Sequence, residues 1–160
     1  MRCKHDILNY KIQHMNDQSL IIERIYNAPV ELVWRAITEK ELMQKWLFNI
    51  LEFEPKVGFQ FQFEGGEEDK RYLHLCEVME VEINKKLTYS WEYDGYEGRS
   101  YVTFELIDMG EKTKVILTHT GIETFTHEDF KKENFEGGWN YLINESLYEF
   151  LEKGKALRYW

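Results

Sequence analysis

A segment near the C-terminus constrains the fold of this chain more than any other. Between Glu136 and Lys153 the apolar residues recur at the spacing that places them on one face of an α-helix. These residues are Trp139, Leu142, Ile143, Leu147, Phe150 and Leu151. Gly154 then stands where a helix C-cap is expected. The segment is predicted as one long helix, and its apolar face must be buried against the rest of the chain.

Most of the preceding sequence has the pattern of β-strands. A first strand is predicted at residues 19–26, and later stretches alternate between apolar and polar residues as half-buried strands do. The five later strands are predicted at residues 57–64, 72–83, 87–93, 102–106 and 115–120. The alternation breaks within the second of these, which predicts a β-bulge or bend near Val78.

Two short helices are predicted between the first strand and the next. Pro29 suits the first helical position because its missing N–H group is not needed there, and this helix extends to about Thr38. A second helix is predicted from Glu39 to about Trp46. The predicted fold class is therefore α+β, with a curved antiparallel six-stranded sheet wrapped around the C-terminal helix and two short helices after strand 1.

A length of 160 residues fits one domain. We assign residues 18–154 to this domain, residues 1–17 to an N-terminal extension and residues 155–160 to a C-terminal tail. Because the periodicity of the extension is weak, we hypothesise that Met15 is the native start and that residues 1–14 precede it.

Charge and composition restrict the classes of partner. The net charge is −9 and no segment combines basic and aromatic residues, so neither nucleic acid nor an anionic membrane is an expected partner. No apolar segment is long enough for a membrane span and none resembles a signal peptide, which predicts a cytoplasmic location.

Cys3 and Cys76 are far apart and do not indicate a disulfide. The acidic run at residues 64–69 is predicted as a solvated loop, because its spacing fits no calcium loop.

Common catalytic and metal-binding motifs are not found in the sequence. It contains no Gly-x-Ser-x-Gly elbow, no His-Glu-x-x-His motif, no zinc spacing and no phosphate loop. We therefore predict no catalytic residue, no metal and no cofactor. His119 shares strand parity with Val115 and Leu117, which directs it inward, and burial of an unpaired imidazole costs about 2–7 kcal/mol. Two interpretations stay open: a structural histidine bonded to a backbone carbonyl or helix side chain, or a contact for a ligand's polar end.

Four segments resemble one known family, and they occur in the same order. They are residues 27–38 (NAPVELVWRAIT) with Leu42 and Lys45-Trp46, residues 78–91 (VMEVEINKKLTYSW), residues 118–121 (THTG) and residues 137–139 (GGW). They are similar to the family named after the C-terminal domain of the activator of the ninety-kilodalton heat-shock protein's ATPase. The resemblance implies a START-like, helix-grip fold of the SRPBCC superfamily, whose members commonly enclose an apolar cavity between the sheet and the last helix.

The aromatic content of 16% suits either a dense core or an aromatic pocket. Because the resemblance implies a pocket, the leading expectation is binding of a hydrophobic or amphipathic small molecule between the sheet and the C-terminal helix. The predicted ligand-binding residues are Trp46, Phe61, Trp91, Phe104, His119, Trp139 and Ile143. The first alternative is a chaperone-ATPase cofactor that acts in the stress response. The second is a cyclase- or dehydratase-like enzyme that uses the same cavity, with His119 as its acid or base. The exposed edges of an antiparallel sheet would also allow a homodimer.

Overall fold

The computed structural model of the chain describes residues 19–158. Its strands are β1 (Leu20–Tyr26), β2 (Gln60–Glu67), β3 (Lys70–Glu82), β4 (Lys86–Tyr93), β5 (Ser100–Asp108) and β6 (Thr113–Thr120). Helices α1 (Val30–Thr38) and α2 (Lys40–Trp46) follow β1. The C-terminal helix α3 comprises Lys132–Tyr141, a π-helical segment Leu142–Ser146 and Leu147–Lys153. The predicted N-terminal extension, with the proposed start at Met15 and with Cys3, lies outside the described residues.

The six strands form one antiparallel sheet in the order β1-β6-β5-β4-β3-β2. The strands from β2 to β6 form a meander, and β1 closes the other edge by pairing with β6. The sheet curves around α3, which confirms the predicted α+β architecture. Within the part of the chain that the structure describes, no helix is both long and apolar enough to cross a bilayer.

The inward residues of the strands form one hydrophobic core with α3. In β5, for example, Val102, Phe104 and Leu106 are buried and the residues between them are not. From α3, Leu142, Ile143 and Leu147 are among the buried residues of the same cluster. Alternation in the sequence thus identified the buried face of the sheet correctly.

The predicted bulge in β3 is confirmed. Val78 pairs with Tyr89, whereas Glu80 pairs with Thr88, so the register shifts by one residue and Met79 is the extra residue. The shift moves the inward positions of β3 to the other parity, which explains the broken alternation in the sequence.

The predicted loop at residues 64–69 is wrong for most of its length. Strands β2 and β3 continue to Glu67 and Lys70, which are paired, and only two residues connect them. Gly65 lies inside β2. A Cβ atom there would be 2.9 Å from Cε1 of His74 and 3.1 Å from the Phe48 ring, so the close packing favours a residue without a side chain. Gly66 has a φ of +126°, and a Cβ atom would collide with the carbonyl oxygen of Lys70. The two glycines therefore mark close packing inside a strand.

The predicted boundaries of the first and last helices are also shifted. Pro29 precedes the first helical residue and is the N-cap of α1, because its ψ of 155° is extended. Helix α3 begins at Lys132, four residues before the predicted start at Glu136.

The π-helical segment of α3 is joined to β1. A π turn releases backbone carbonyls from the regular helical ladder, and two side chains of β1 bind them. Arg24 donates to the carbonyl oxygen of Asn144 at 2.7 Å, and the Tyr26 hydroxyl donates to that of Ile143. Ser146 in turn donates to the carbonyl oxygen of Trp46 at 2.7 Å. These bonds fix α3 against β1 and α2.

Candidate functional site: an aromatic cavity between sheet and helix

A cavity of about 620 Å³ lies between the β2–β4 side of the sheet and the first half of α3. Aromatic residues are the most frequent class in its lining, and they come from the sheet, the helix and the loop after α2. The lining includes Phe48, Tyr72, Trp91, Tyr93, Phe135 and Trp139. The volume is within the range of small-molecule sites, and the surfaces of such sites are mainly apolar and aromatic.

The sheet side of the cavity is a packed group of rings around His74 on β3. The His74 ring stacks on Phe63 at a centroid distance of 4.5 Å and lies 4.9 Å from Trp91 and 4.6 Å from Tyr93. The indole N–H of Trp91 donates to the Tyr93 hydroxyl at 3.0 Å. Several ring contacts therefore hold this side of the cavity in place.

His74 presents a hydrogen-bond acceptor at this surface. Its Nδ1 lies 3.0 Å from the carbonyl oxygen of Tyr72. Because a carbonyl oxygen can only accept, we assign the proton to Nδ1 and the lone pair of the neutral ring to Nε2. Burial lowers the pKa of His74 to about 4, against the opposing effect of the Tyr72 and Phe63 carbonyls. The ring is therefore neutral at pH 7.

Gly137 and Gly138 form the helix side of the entrance. A Cβ atom on either residue would meet no heavy atom within 4 Å. Glycine in a helix interior is about 1 kcal/mol less favourable than alanine. Since no close packing requires these two glycines, their effect is to keep the entrance wide.

Charged residues border the same entrance. Tyr72 donates a hydrogen bond to the Asp129 carboxylate, and Lys70 Nζ lies 3.5 Å from it. The bond to Asp129 raises the pKa of Tyr72 to about 12, and the bond from Tyr72 lowers the pKa of Asp129. On the other side, the Arg158 guanidinium lies 5.7 Å from the Phe48 ring. The Tyr72–Asp129 bond fastens the segment before α3 to β3 across the cavity.

His119 lies in the core on β6 with both ring nitrogens bonded. The indole of Trp139 donates to Nδ1 at 3.0 Å, and an indole can only donate, so we assign the proton to Nε2. Nε2 then donates to the Ser100 hydroxyl at 2.8 Å, which donates to the Trp91 carbonyl at 3.1 Å. Burial lowers the pKa of His119 to about 3, so the ring is neutral. The protein itself uses the full hydrogen-bonding capacity of this imidazole.

The structure separates the seven predicted ligand-binding residues into two groups. Trp91 and Trp139 line the cavity, with ring centroids 5.6 Å apart. The other five are buried core residues that are not part of the lining: Trp46, Phe61, Phe104, His119 and Ile143. The rings of Trp46 and Phe104 meet edge to face with their centroids 6.4 Å apart, and the centroids of Phe104 and Trp139 are 6.1 Å apart. This core layer supports the lining from behind.

Sequence reasoning missed His74. The residue has the parity of Tyr72, Cys76 and Val78, so the alternation of β3 could have found it. Phe48 gave no such signal, because it follows α2 in a segment without regular structure.

The described residues offer no evident metal site or reactive thiol. Among residues 19–158, no three His, Cys, Asp or Glu side chains converge to hold a metal ion. Cys76 is buried as a free thiol, and burial raises its pKa.

The curved sheet, the α3 helix and the cavity between them define a START-like helix-grip protein. A family model described as "Activator of Hsp90 ATPase homolog 1-like protein" matches residues 27–152. The chain therefore belongs to this family, which confirms the resemblance found in the sequence. No curated protein matches the chain.

Solved structures have the same fold. MLL2253 from Mesorhizobium loti is 28% identical with a TM-score of 0.70, and the match covers 84% of this chain and 97% of that one. CalU16 from Micromonospora echinospora is 25% identical with a TM-score of 0.66, over 84% of this chain and 74% of that one. DynU16, encoded in the dynemicin biosynthetic locus, is 22% identical with a TM-score of 0.74 and shows the fold alone. The match covers 89% of this chain but only 50% of DynU16.

Proposed function

We propose that this protein binds an apolar or amphipathic small molecule in the cavity between the sheet and α3. The observation that carries the proposal is the aromatic lining around about 620 Å³ of open volume. A concave space of this size with aromatic side chains in its lining is typical of small-molecule sites, which supports a binding role.

In this proposal Trp91 and Trp139 contact the ligand directly, because they line the cavity from the sheet and the helix. Trp46, Phe61, Phe104, His119 and Ile143 hold the lining in place. Gly137 and Gly138 leave room for the ligand to enter.

Binding is better supported than acid–base catalysis in the same cavity. An efficient general acid or base has a pKa near the working pH. The pKa values of His74 and His119 are lowered by burial to about 4 and about 3. His119, the acid or base of the enzyme alternative, is also fully bonded within the protein. The chaperone-cofactor alternative rests on the family's description, and no contact in the cavity favours it.

Native mass spectrometry of protein purified without denaturation tests this proposal. We expect a bound small molecule, or binding of added 2-methoxynaphthalene that changes tryptophan fluorescence. Gly138→Leu places a side chain in the entrance and is expected to abolish binding. Asn140→Leu places the same leucine side chain on an exposed part of α3 outside the lining and is expected to preserve binding. Wild-type protein that carries no small molecule and binds no such compound would contradict the proposal.

A further inference from the structure

We propose that the ligand of this cavity is a planar aromatic molecule with a phenol-type hydroxyl, which donates a hydrogen bond to Nε2 of His74. The inference rests on the proposed function, since it names the class of molecule that the same cavity takes.

The first step is the hydrogen-bonding state of His74. Its Nδ1–H is used by the Tyr72 carbonyl, so the ring offers one lone pair at Nε2. Within residues 19–158, no hydrogen bond to Nε2 is formed. The ring is only 5% exposed, so this acceptor is shielded from bulk water on most sides.

The second step is the direction from which a partner can reach Nε2. A nitrogen of His74 that was both sealed and unpartnered would be a buried unsatisfied group, and among the described residues His74 has none. His74 is one of the residues that line the cavity. A hydrogen-bond donor can therefore reach Nε2 from the cavity.

The third step is the shape of the space beside this acceptor. Trp91 and Tyr93 flank His74 on the sheet side, and Phe135 and Trp139 line the opposite helix side. Flat rings on both sides favour a flat aromatic ligand, because stacked and edge-to-face contacts add to the burial of apolar area.

The fourth step is the charge of the donor. A carboxylate next to Nε2 would place negative charge against a lone pair. An ammonium group would lose its hydration in a mostly apolar space, which is costly without a paired anion. The carboxylates that line the cavity, on Glu67, Asp129 and Glu133, belong to residues with exposed or half-buried positions at its entrance. A neutral hydroxyl satisfies Nε2 without either penalty.

Two compounds that differ in one hydrogen-bond donor test the inference. The protein is titrated with 2-naphthol and with 2-methoxynaphthalene, which share the ring system and the oxygen atom. Dissociation constants are measured by tryptophan fluorescence and by calorimetry. The ratio of the two constants is compared between wild-type protein and His74→Phe, which keeps a stacking ring and removes the lone pair.

We expect the preference for 2-naphthol to fall about three- to tenfold in His74→Phe, the range that one net hydrogen bond provides. His127→Phe makes the same change at a histidine that is not part of the lining and is expected to keep the wild-type preference. Equal preference in wild-type and His74→Phe proteins would overturn the inference and leave the proposed function intact. Failure of both compounds to bind wild-type protein would overturn both.

A spectroscopic measurement on wild-type protein makes the test independent of the variant's folding. The ¹⁵N resonance of His74 Nε2 is expected to shift when 2-naphthol binds, in the direction of a nitrogen that accepts a hydrogen bond. It is expected to stay in place when 2-methoxynaphthalene binds. An unchanged resonance at saturating 2-naphthol would contradict the inference.

Discussion

His119 and His74 are two buried histidines of one sheet with different surroundings. They are 0% and 5% exposed, and both are neutral because burial lowers their pKa values. His119 has a protein partner on each ring nitrogen, whereas His74 has one on Nδ1 only. Burial by itself therefore does not distinguish a structural histidine from one that is available to a ligand. The number of satisfied ring nitrogens does.

The difference arises from what α3 places opposite each ring. At His119 the helix presents Trp139, whose indole N–H completes the hydrogen-bonding network. On the His74 side, the helix residues that border the cavity include Gly137 and Gly138, which have no side chains to fill it. One helix thus closes the core at one point and leaves a cavity at another.

Truncation of Trp139 should have the largest effect, because it removes the partner of His119 and the helix side of the cavity together. Trp139→Ala is expected to lower the free energy of unfolding by about 3–5 kcal/mol. Urea denaturation measures this change. Tyr141→Ala truncates a half-buried residue of the same lining and should cost clearly less. A loss below about 1 kcal/mol in the free energy of unfolding for Trp139→Ala would contradict a close-packed, fully hydrogen-bonded core around His119.

Replacing each histidine by phenylalanine compares the two surroundings directly. His119→Phe leaves the Trp139 N–H without an acceptor in the core, and this should cost about 1–3 kcal/mol. His74→Phe removes one hydrogen bond to a carbonyl and keeps the ring contacts, so about 1 kcal/mol is expected. Adding Trp139→Phe to His119→Phe removes the stranded donor, so the two changes should be less than additive. Strict additivity in this double-mutant cycle would contradict the network.

Acid should destabilise the protein through both histidines. Each has a folded pKa below the ordinary value of 6.5, so between that value and the folded pKa the unfolded chain binds more protons. The contribution of each neutral, buried imidazole to the free energy of unfolding is fully present above pH 6.5. It is lost as the pH falls toward about 4 for His74 and about 3 for His119. The slope of unfolding free energy is expected to approach about 1.4 kcal/mol per pH unit for each histidine.

Urea denaturation between pH 6.5 and pH 5 measures this slope before most carboxylates titrate. Aromatic rings and the Ser100 hydroxyl surround His119, and the charged groups that share the cavity lining with His74 include Lys70, Asp129 and Arg158. Either His→Phe variant should lose about half of the slope. A wild-type stability that is flat over this range would mean that the two rings are not buried in the neutral form.

The smallest expected effect is a gain in stability at the cavity entrance. Gly137→Ala is expected to stabilise the protein by up to about 1 kcal/mol, because a Cβ atom meets nothing within 4 Å and alanine favours the helix. It should also weaken binding in the cavity. Gly66→Ala should instead destabilise, since the positive φ and the Lys70 carbonyl exclude a side chain. Stabilisation by Gly137→Ala with unchanged binding would show that the entrance glycines do not serve the cavity.

Much of the fold follows from local patterns in the sequence. Sequence periodicity shows which residues face the core, because side chains repeat every 3.6 residues in a helix and every 2 residues in a strand. This holds for the apolar positions from Trp139 to Leu147 and for the alternation in β4, β5 and β6. The same reasoning located the β3 bulge near Val78. The loop predicted between β2 and β3 was too long, since glycines and acidic residues are typical of loops. Here Gly65 instead permits close packing against His74 and Phe48, and Gly66 adopts a positive φ within the β2–β3 hairpin.

The sequence alone determined that a long amphipathic helix packs on an antiparallel sheet, that His119 faces inward and that aromatic residues are abundant. Tertiary structure alone decided which of those aromatic residues line a cavity and which fill the core behind it. It also decided that His119 finds two partners and that Nε2 of His74 finds none in residues 19–158. The physical reason is that the direction of a side chain follows from the geometry of its own helix or strand. Its hydrogen-bond partners, and any cavity beside it, depend on the side chains that other helices and strands place opposite it.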